Sequence, residues 1–231
     1  LRKCLVALAE PRSTWAEAFE YRFAGGDLAG HALGNLLIAG LAAATGDFIG
    51  ALTEAGRLVG ATGTVLPATL EPVRLAGSAA GGAVVGQQAL SRAGAIAGVS
   101  LVPPDPEPPA AAVEAILGAD QVVLGPGSLF TSVLAVLAVP ALTKAVGETG
   151  ARVVYVANLR PQLPETAGFD VAAHVEALDV HGVRPDVVLC DTSCIQLGSP
   201  GVPHREVRLA RPGSNAHDPT RLAAALADLV G

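Results

Sequence analysis

Ala119-Asp120-Gln121-Val122-Val123-Leu124-Gly125-Pro126-Gly127-Ser128-Leu129-Phe130-Thr131-Ser132 reads as a strand, a glycine turn and a helix start. Gln121 to Leu124 is a short β-branched apolar run with Gly118 before it and a glycine pair behind it, the pattern of a buried parallel strand. Gly125 and Gly127 flank Pro126 and allow a turn tight enough to bring bare backbone against a ligand. Ser128 stands where a helix N-cap belongs, ahead of an apolar run from Leu129 to Val139. Such a helix start carries unpaired N–H groups and the positive end of the helix dipole, so it suits a phosphate. Ser128, Thr131 and Ser132 would add hydroxyl donors. The plainer reading is an ordinary turn between a strand and a capped helix, and short glycine motifs alone do not separate the two.

Working outward, strands alternate with helices through the second half. Ala151–Val156 and Asp186–Cys190 read as further buried strands, and Asp170–Val180 as the helix between them. A last helix, Asp218–Val230, is capped by Asp218 or Thr220. Strands alternating with helices imply an α/β fold with a Rossmann-like, mostly parallel sheet flanked by helices. Ligands of such sheets bind beyond the carboxyl ends of the strands. Three polar loops lie there: Gly125–Ser128, Asn158–Thr166 and Asp191–Ser193.

Upstream, the period changes between Glu71 and Val102, where apolar pairs are separated by glycine turns. A small β-rich antiparallel insertion over 71–102 is expected, within a single domain spanning 1–231. Pro103–Pro109 is a stiff connection, and Ala110–Leu117 a helix. Val65–Thr69 reads as a strand end. Near the start, Leu1–Ala9 reads as the tail of a helix. Thr14 caps a helix over Trp15–Phe23, and Asp47 caps another over Phe48–Val59. Between these two, Asp27 is the expected cap of a helix running to Ala44. On that helix Asp27, His31 and Asn35 fall at i, i+4 and i+8 and share a face. Gly25-Gly26 reads as a flexible turn before that helix, and Gly30 and Gly34, close to the same face, would let a ligand or another backbone approach. Polar groups striping an apolar helix are costly to bury unpaired. They belong either to a site, with His31 available for acid–base work, or to a satisfied helix contact. A metal site is disfavoured because Asn is a poor third ligand.

The 231 residues are 51% apolar but only 3% aromatic, so small side chains fill the core. The net charge of −6 and the lack of any Lys or Arg run argue against nucleic-acid binding. Cys4, Cys190 and Cys194 fit no zinc or redox spacing, which suits a reduced cytoplasmic setting. No apolar run reaches the roughly twenty residues of a spanning helix, since Asn35 and Pro140 interrupt the candidates, and no signal peptide opens the chain. There is no Met, and the sequence opens in mid-element at Leu1. A missing N-terminal piece is expected.

Several segments together resemble one family. They are Gly26-Asp27-Leu28-Ala29-Gly30-His31-Ala32-Leu33-Gly34-Asn35-Leu36-Leu37, Gly46-Asp47-Phe48, Val65–Thr69, Leu124–Ser132, and Asn158-Leu159 with Gln162 and Glu165-Thr166. They resemble the YvcK family, the gluconeogenesis-factor branch of the CofD-like 2-phospho-lactate transferases. The resemblance covers nearly the whole chain in family order, and the Ala- and Gly-rich composition suits an actinobacterial member.

The resemblance implies a cytoplasmic, Rossmann-like protein that binds a UDP-sugar such as UDP-N-acetylglucosamine and requires no cofactor. It implies a regulator, more than an enzyme, linking gluconeogenic growth to cell shape and peptidoglycan synthesis. Downstream cell-wall or division proteins would be its partners, together with further copies of itself in a homo-oligomer. In this reading Gly125, Pro126, Gly127, Ser128, Leu129, Thr131 and Ser132 hold the diphosphate, and Asn158 and Asp191 meet ribose or base. Gly26, Asp27, Gly30, His31 and Asn35 face the ligand from the neighbouring helix. The alternative is a CofD-type transferase moving a phospho-lactyl group to a deazaflavin, with Mg²⁺ on Asp27 or Asp191. An NAD-linked oxidoreductase is disfavoured, because the turn is Gly-Pro-Gly-Ser and not Gly-x-Gly-x-x-Gly. The family's first strand, its glycine-rich loop and an Asp-Asp-Gly-Gly-Ser segment are absent here. Ala216-His217-Asp218 stands where some members have Arg-His-Asp, and Phe130 where Tyr is common.

Overall fold

Two strands at the centre of the sheet record in their side chains that both faces are covered. In a computed structural model describing residues 1–10, 12–79 and 81–230, Arg152–Val156 and Val187–Cys190 pair in parallel. Along the first, Val153 and Tyr155 enter one apolar cluster while Val154 and Val156 enter another. Along the second, Val188 and Cys190 alternate with Val187 and Leu189 in the same way. Alternation is the two-residue period of a strand, and burial on both faces is the mark of a parallel sheet between layers.

Contacts cluster the chain into two units, Leu1–Pro67 and the residues from Ala68 onward. The first is helical: α1 (Arg2–Ala7), α2 (Thr14–Glu20), α3 (Leu33–Thr45) and α4 (Phe48–Val59). Its core is Leu5, Phe19, Ile38, Leu52, Ala55 and Val59. Buried Arg2 pairs with Glu20 and donates to the Phe19 carbonyl, which satisfies its charge. The cap of α2 is Ser13, one residue before the expected Thr14, and α2 ends at Glu20. Asp47 caps α4 by accepting from the Gly50 amide at 2.9 Å.

The larger change concerns the segment before α3. The helix begins at Leu33, capped by Ala32, and not at Asp27. Residues 23–31 form a tight turn instead, closed by Gly30 N–H to the Phe23 carbonyl (2.9 Å) and Phe23 N–H to the His31 carbonyl (3.2 Å). Gly26 and Gly30 adopt left-handed φ of 70° and 80°, which a helix cannot contain. Asp27 and His31 therefore lie in an exposed turn, Asn35 alone is on the helix, and no shared face exists. Gly34 meets Phe19: a Cβ there would come within 2.7 Å of the ring.

The second unit opens with β1 (Arg74–Ala79), β2 (Gly82–Val85), α5 (Gln87–Arg92) and β3 (Gly98–Val102), an antiparallel sheet in the order β2-β1-β3. Val65–Thr69 has no strand, since Pro67 supplies no N–H for a ladder. After α6 (Ala110–Leu117) come β4 (Gln121–Leu124), α7 (Leu134–Leu137), α8 (Pro140–Glu148), β5 (Arg152–Val156), α9 (Val171–Val180), β6 (Val187–Cys190), β7 (His204–Glu206) and α10 (Pro219–Ala227). The four strands β4-β5-β6-β7 pair in that order, all parallel. β4 is parallel as its sequence suggests but ends the sheet, so Val123 stays 39% exposed rather than buried. The run Leu129–Val139 is not one helix. It opens in a wide π turn over Leu129–Val133, continues as α7, and bends by 77° into α8 at Pro140. Nothing in the sequence signals β7: His204–Glu206 is exposed along its length and has no apolar alternation. Among the described residues no single helix is long and apolar enough to cross a membrane.

His174 on α9 is fully buried between Tyr155, 6.5 Å away and stacked, and Phe169, 5.6 Å away and edge-on. Nδ1 lies 2.7 Å from the Asp170 carbonyl, while Nε2 has no partner among the described residues. Burial holds its pKa below the usual histidine value, outweighing the Asp170 carbonyl and the Asp170 and Glu165 charges. The folded state thus favours neutral imidazole. As pH falls below about 6.5 the unfolded chain takes up the proton first, so stability declines. Chemical denaturation between pH 7 and 5 should show this loss, and His174→Phe should flatten it; an unchanged slope would contradict the assignment.

Candidate functional site

The carboxyl ends of β4, β5 and β6 deliver Gly125, Asn158 and Asp191 to one edge of the sheet. Gly125 has a φ of 81°, and a Cβ there would lie 3.1 Å from the Val156 carbonyl. Only glycine turns the chain at this point without strain. The helix start that follows already holds an anion, supplied by the protein itself. Glu165, 4% exposed, accepts from Ser128 Oγ at 2.6 and 2.7 Å and from the Phe130 amide at 2.8 Å. It also accepts from Thr131 Oγ1 at 3.1 Å and the Thr131 amide at 3.4 Å. The expected phosphate donors are therefore directed at a side chain from the β5 loop. The opened π turn, with both Ser132 and Val133 amides on the Ser128 carbonyl, accompanies this arrangement. Ser128 makes no side-chain cap because its hydroxyl serves Glu165.

The loop carrying Glu165 is tied to itself as well. Gln162 N–H donates to Thr166 Oγ1 at 2.8 Å, Thr166 N–H returns to the Gln162 carbonyl at 2.7 Å, and Asn158 Nδ2 reaches Gln162 Oε1 at 3.4 Å. Between this loop, the glycine turn and the segment before α10 lies a cleft of about 840 Å³. Pro126, Gly127, Asn158, Leu159, Arg160, Gln162, Asn215 and His217 line it. Its size falls within the roughly 300–1,000 Å³ of small-molecule sites. His217 Nε2 is 3.2 Å from the Ala157 carbonyl. A carbonyl can only accept, so Nε2 carries the proton and Nδ1 keeps its lone pair. Burial lowers the pKa of His217 against the opposing effects of that carbonyl and of Asp191, which favours the neutral ring.

Asp191 has a different task. One oxygen accepts from the Leu209 and Ala210 amides at 2.8 and 3.1 Å, the other from Ser193 N–H and Oγ at 3.2 and 2.5 Å. Burial raises its pKa, but the Ser193, Ala210 and Leu209 hydrogen bonds outweigh that and leave it below the usual carboxylate value. Asp191 thus anchors the strand after β7. It lines a neighbouring pocket of about 440 Å³ rather than the cleft that holds Asn158. With its oxygens committed, Asp191 does not suit a Mg²⁺ ion, and among the described residues no three His, Cys, Asp or Glu side chains converge as ligands.

Of the sequence-derived residues, Gly125, Pro126, Gly127 and Asn158 thus meet around one turn and cleft. Ser128 and Thr131 turn to Glu165, Leu129 is buried in the core, and Ser132 is exposed. Gly26, Asp27, Gly30, His31 and Asn35 are exposed in the first unit. Arg160, Asn215 and His217 were missed as lining residues, and Glu165 as the internal anion. A Glu in a proline-flanked loop gives no sign of its partner 37 residues away.

The family described as 2-phospho-L-lactate transferase CofD matches residues 1–205, and the chain belongs to that family. Within it, a gluconeogenesis factor of Halalkalibacterium halodurans is 39% identical over 82% of this chain. The gluconeogenesis factor of Bacillus subtilis is 38% identical over 78%. A Mycobacterium tuberculosis relative is 37% identical over 98%. The chain spans 61%, 58% and 74% of these three relatives' own lengths. A crystal structure of a UPF0052-family protein from Bacillus halodurans superposes with a TM-score of 0.91 at 33% identity, covering 98% of this chain and 81% of that one. The match supports both the YvcK-type resemblance and the mixed α/β fold.

Glu165→Ala would orphan the Ser128, Phe130 and Thr131 donors and should cost about 3 kcal/mol in chemical denaturation, with Glu165→Gln losing less. Gly125→Ala, forced into left-handed φ, should cost about 1–2 kcal/mol. Wild-type melting of Glu165→Ala would disprove the internal-anion role.

Proposed function

We propose that this protein is a sugar-nucleotide-binding regulator whose cleft takes a UDP-sugar such as UDP-N-acetylglucosamine. The observation that carries the reading is the cleft at the carboxyl ends of the parallel strands. The Gly125–Gly127 turn is on one side and the hydrogen-bonding groups of Asn158, Arg160, Gln162 and Asn215 surround it. Amides, a guanidinium and backbone groups suit hydroxyls, a pyrimidine edge and an N-acetyl group; they do not form a nucleophile–base pair. Names borne by the relatives support a role in gluconeogenic growth. We extend that role to the supply of cell-wall precursors and to cell shape, in the cytoplasm, without a required cofactor and through downstream cell-wall or division proteins.

The transferase alternative is favoured by the family's own description. It needs carboxylate oxygens for Mg²⁺ beside the cleft; of the two expected, those of Asp191 are engaged by backbone and hydroxyl donors, and Asp27 lies in an exposed turn of the first unit. Binding without turnover therefore accounts better for the residues present. Isothermal titration with UDP-N-acetylglucosamine should give saturable binding with the ligand recovered intact. Asn158→Ala should weaken it by roughly threefold to tenfold, the loss of one hydrogen bond. Absence of binding to any UDP-sugar by folded protein would refute the reading, and consumption of the ligand would favour the transferase.

A further inference from the structure

The pocket beside Asp191 gathers positive charge in a chain whose net charge is −6. Arg208 follows β7, Arg211 opens the turn before α10, and Arg221 stands in the first turn of α10. The connection between β7 and α10, and α10 itself, thus bring three arginines to one concavity of about 440 Å³. Among the described residues none of the three has a carboxylate within ion-pair distance or a side-chain hydrogen bond. Nearby Arg205 does, with Asp228 at 2.9 Å.

The carboxylates closest in the chain are already engaged. Asp191 is held by the Leu209 and Ala210 amides and Ser193, Asp218 by the Thr220 and Arg221 amides, and Glu206 by the Thr192 hydroxyl. Three guanidinium groups outnumber Asp191, the one carboxylate that lines the pocket with them, and a phosphate meets that excess by accepting from their paired N–H donors. The glycine turn, the other place where an anion would be sought, presents its helix-start donors to Glu165. Asn215 lines both this pocket and the larger cleft, so one extended ligand can occupy the two.

We propose that the Arg208, Arg211 and Arg221 pocket is the phosphoryl-binding site, taking the diphosphate of a ligand whose uncharged part lies in the adjoining cleft. The anion class follows from the arginines; that the anion belongs to a sugar nucleotide rests on the function proposed above. The glycine turn then shapes the wall of the cleft and does not bind the diphosphate.

The test is isothermal titration of the whole chain with inorganic pyrophosphate and, separately, with UDP-N-acetylglucosamine. Wild type is compared with Arg211→Ala, with the double variant Arg208→Ala/Arg221→Ala, and with Arg57→Ala as a control that matches the charge change of Arg211→Ala. All three pocket arginines are exposed, so the fold should survive, and circular dichroism checks this. We expect both pocket variants to weaken whichever ligand binds by roughly tenfold or more, the control to leave it unchanged, and added salt to weaken binding in wild type. Arginine-dependent binding of either ligand supports the site. If pyrophosphate alone binds in this way, the phosphoryl site stands and the sugar-nucleotide reading falls. If UDP-N-acetylglucosamine binds with affinity indifferent to the arginines, the proposal is overturned while the sugar-nucleotide reading survives. Binding of neither ligand overturns both.

Discussion

A buried carboxylate must be surrounded by donors, and Glu165 finds its donors at the start of the segment after β4. Ser128 Oγ, Thr131 Oγ1 and the Phe130 amide converge on it within 3.1 Å. Charge-assisted hydrogen bonds of this kind are short and strong in a low-dielectric interior. They join two loops that leave neighbouring strands, the one after β4 and the one after β5. The cleft between these loops therefore has walls set by a common fastening. The helix start loses its attraction for an external anion in the same step, since a carboxylate already meets its positive end.

The sheet explains why the cleft lies where it does. β5 and β6 are covered on both faces, by the α7–α9 side through Val153, Tyr155, Val188 and Cys190, and by α10 through Val154, Val156, Val187 and Leu189. Access to the centre of such a sheet is blocked from above and below. What remains is the edge where strands end and loops diverge. Cys190 shows how closed the interior is: burial, with the Glu206 and Asp191 charges, pushes its thiol up to about 11. It is a packing residue and not a reactive one.

Charge is distributed with the same asymmetry. Acidic residues outnumber basic ones, 21 to 15, yet three arginines with no carboxylate in ion-pair distance among the described residues collect beyond β7. The acidic groups near them are turned inward as anchors, Asp191 to the strand after β7 and Asp218 to the cap of α10. An edge of this kind attracts anions locally although the chain as a whole repels them.

Much of this was legible in order along the chain. Val122–Leu124, Val153–Val156 and Val187–Cys190 are apolar runs of strand length between glycine or polar breaks, and their local pattern suffices for a parallel α/β sheet. Asp47, Asp170 and Asp218 announce their helices because a cap acts within three residues. The family, too, follows from linear motifs. Legibility failed where a local pattern had competitors. The spacing of Asp27, His31 and Asn35 suggested a helical face, but Gly26 and Gly30 favour left-handed turns, and spacing has no meaning across them. Ser128 was read as a cap because a cap is local, whereas its partner Glu165 is distant in sequence. Sequence by itself determined the alternation of strands and helices and the glycine turn, since these depend on neighbours a few residues apart. Tertiary structure alone decided which charges are spent inside the fold and which stay available at its edge. Electrostatic partners are chosen by distance in space, and the fold brings Glu165 to Ser128 and Asp191 to Leu209 while leaving Arg208, Arg211 and Arg221 without an ion pair among the described residues.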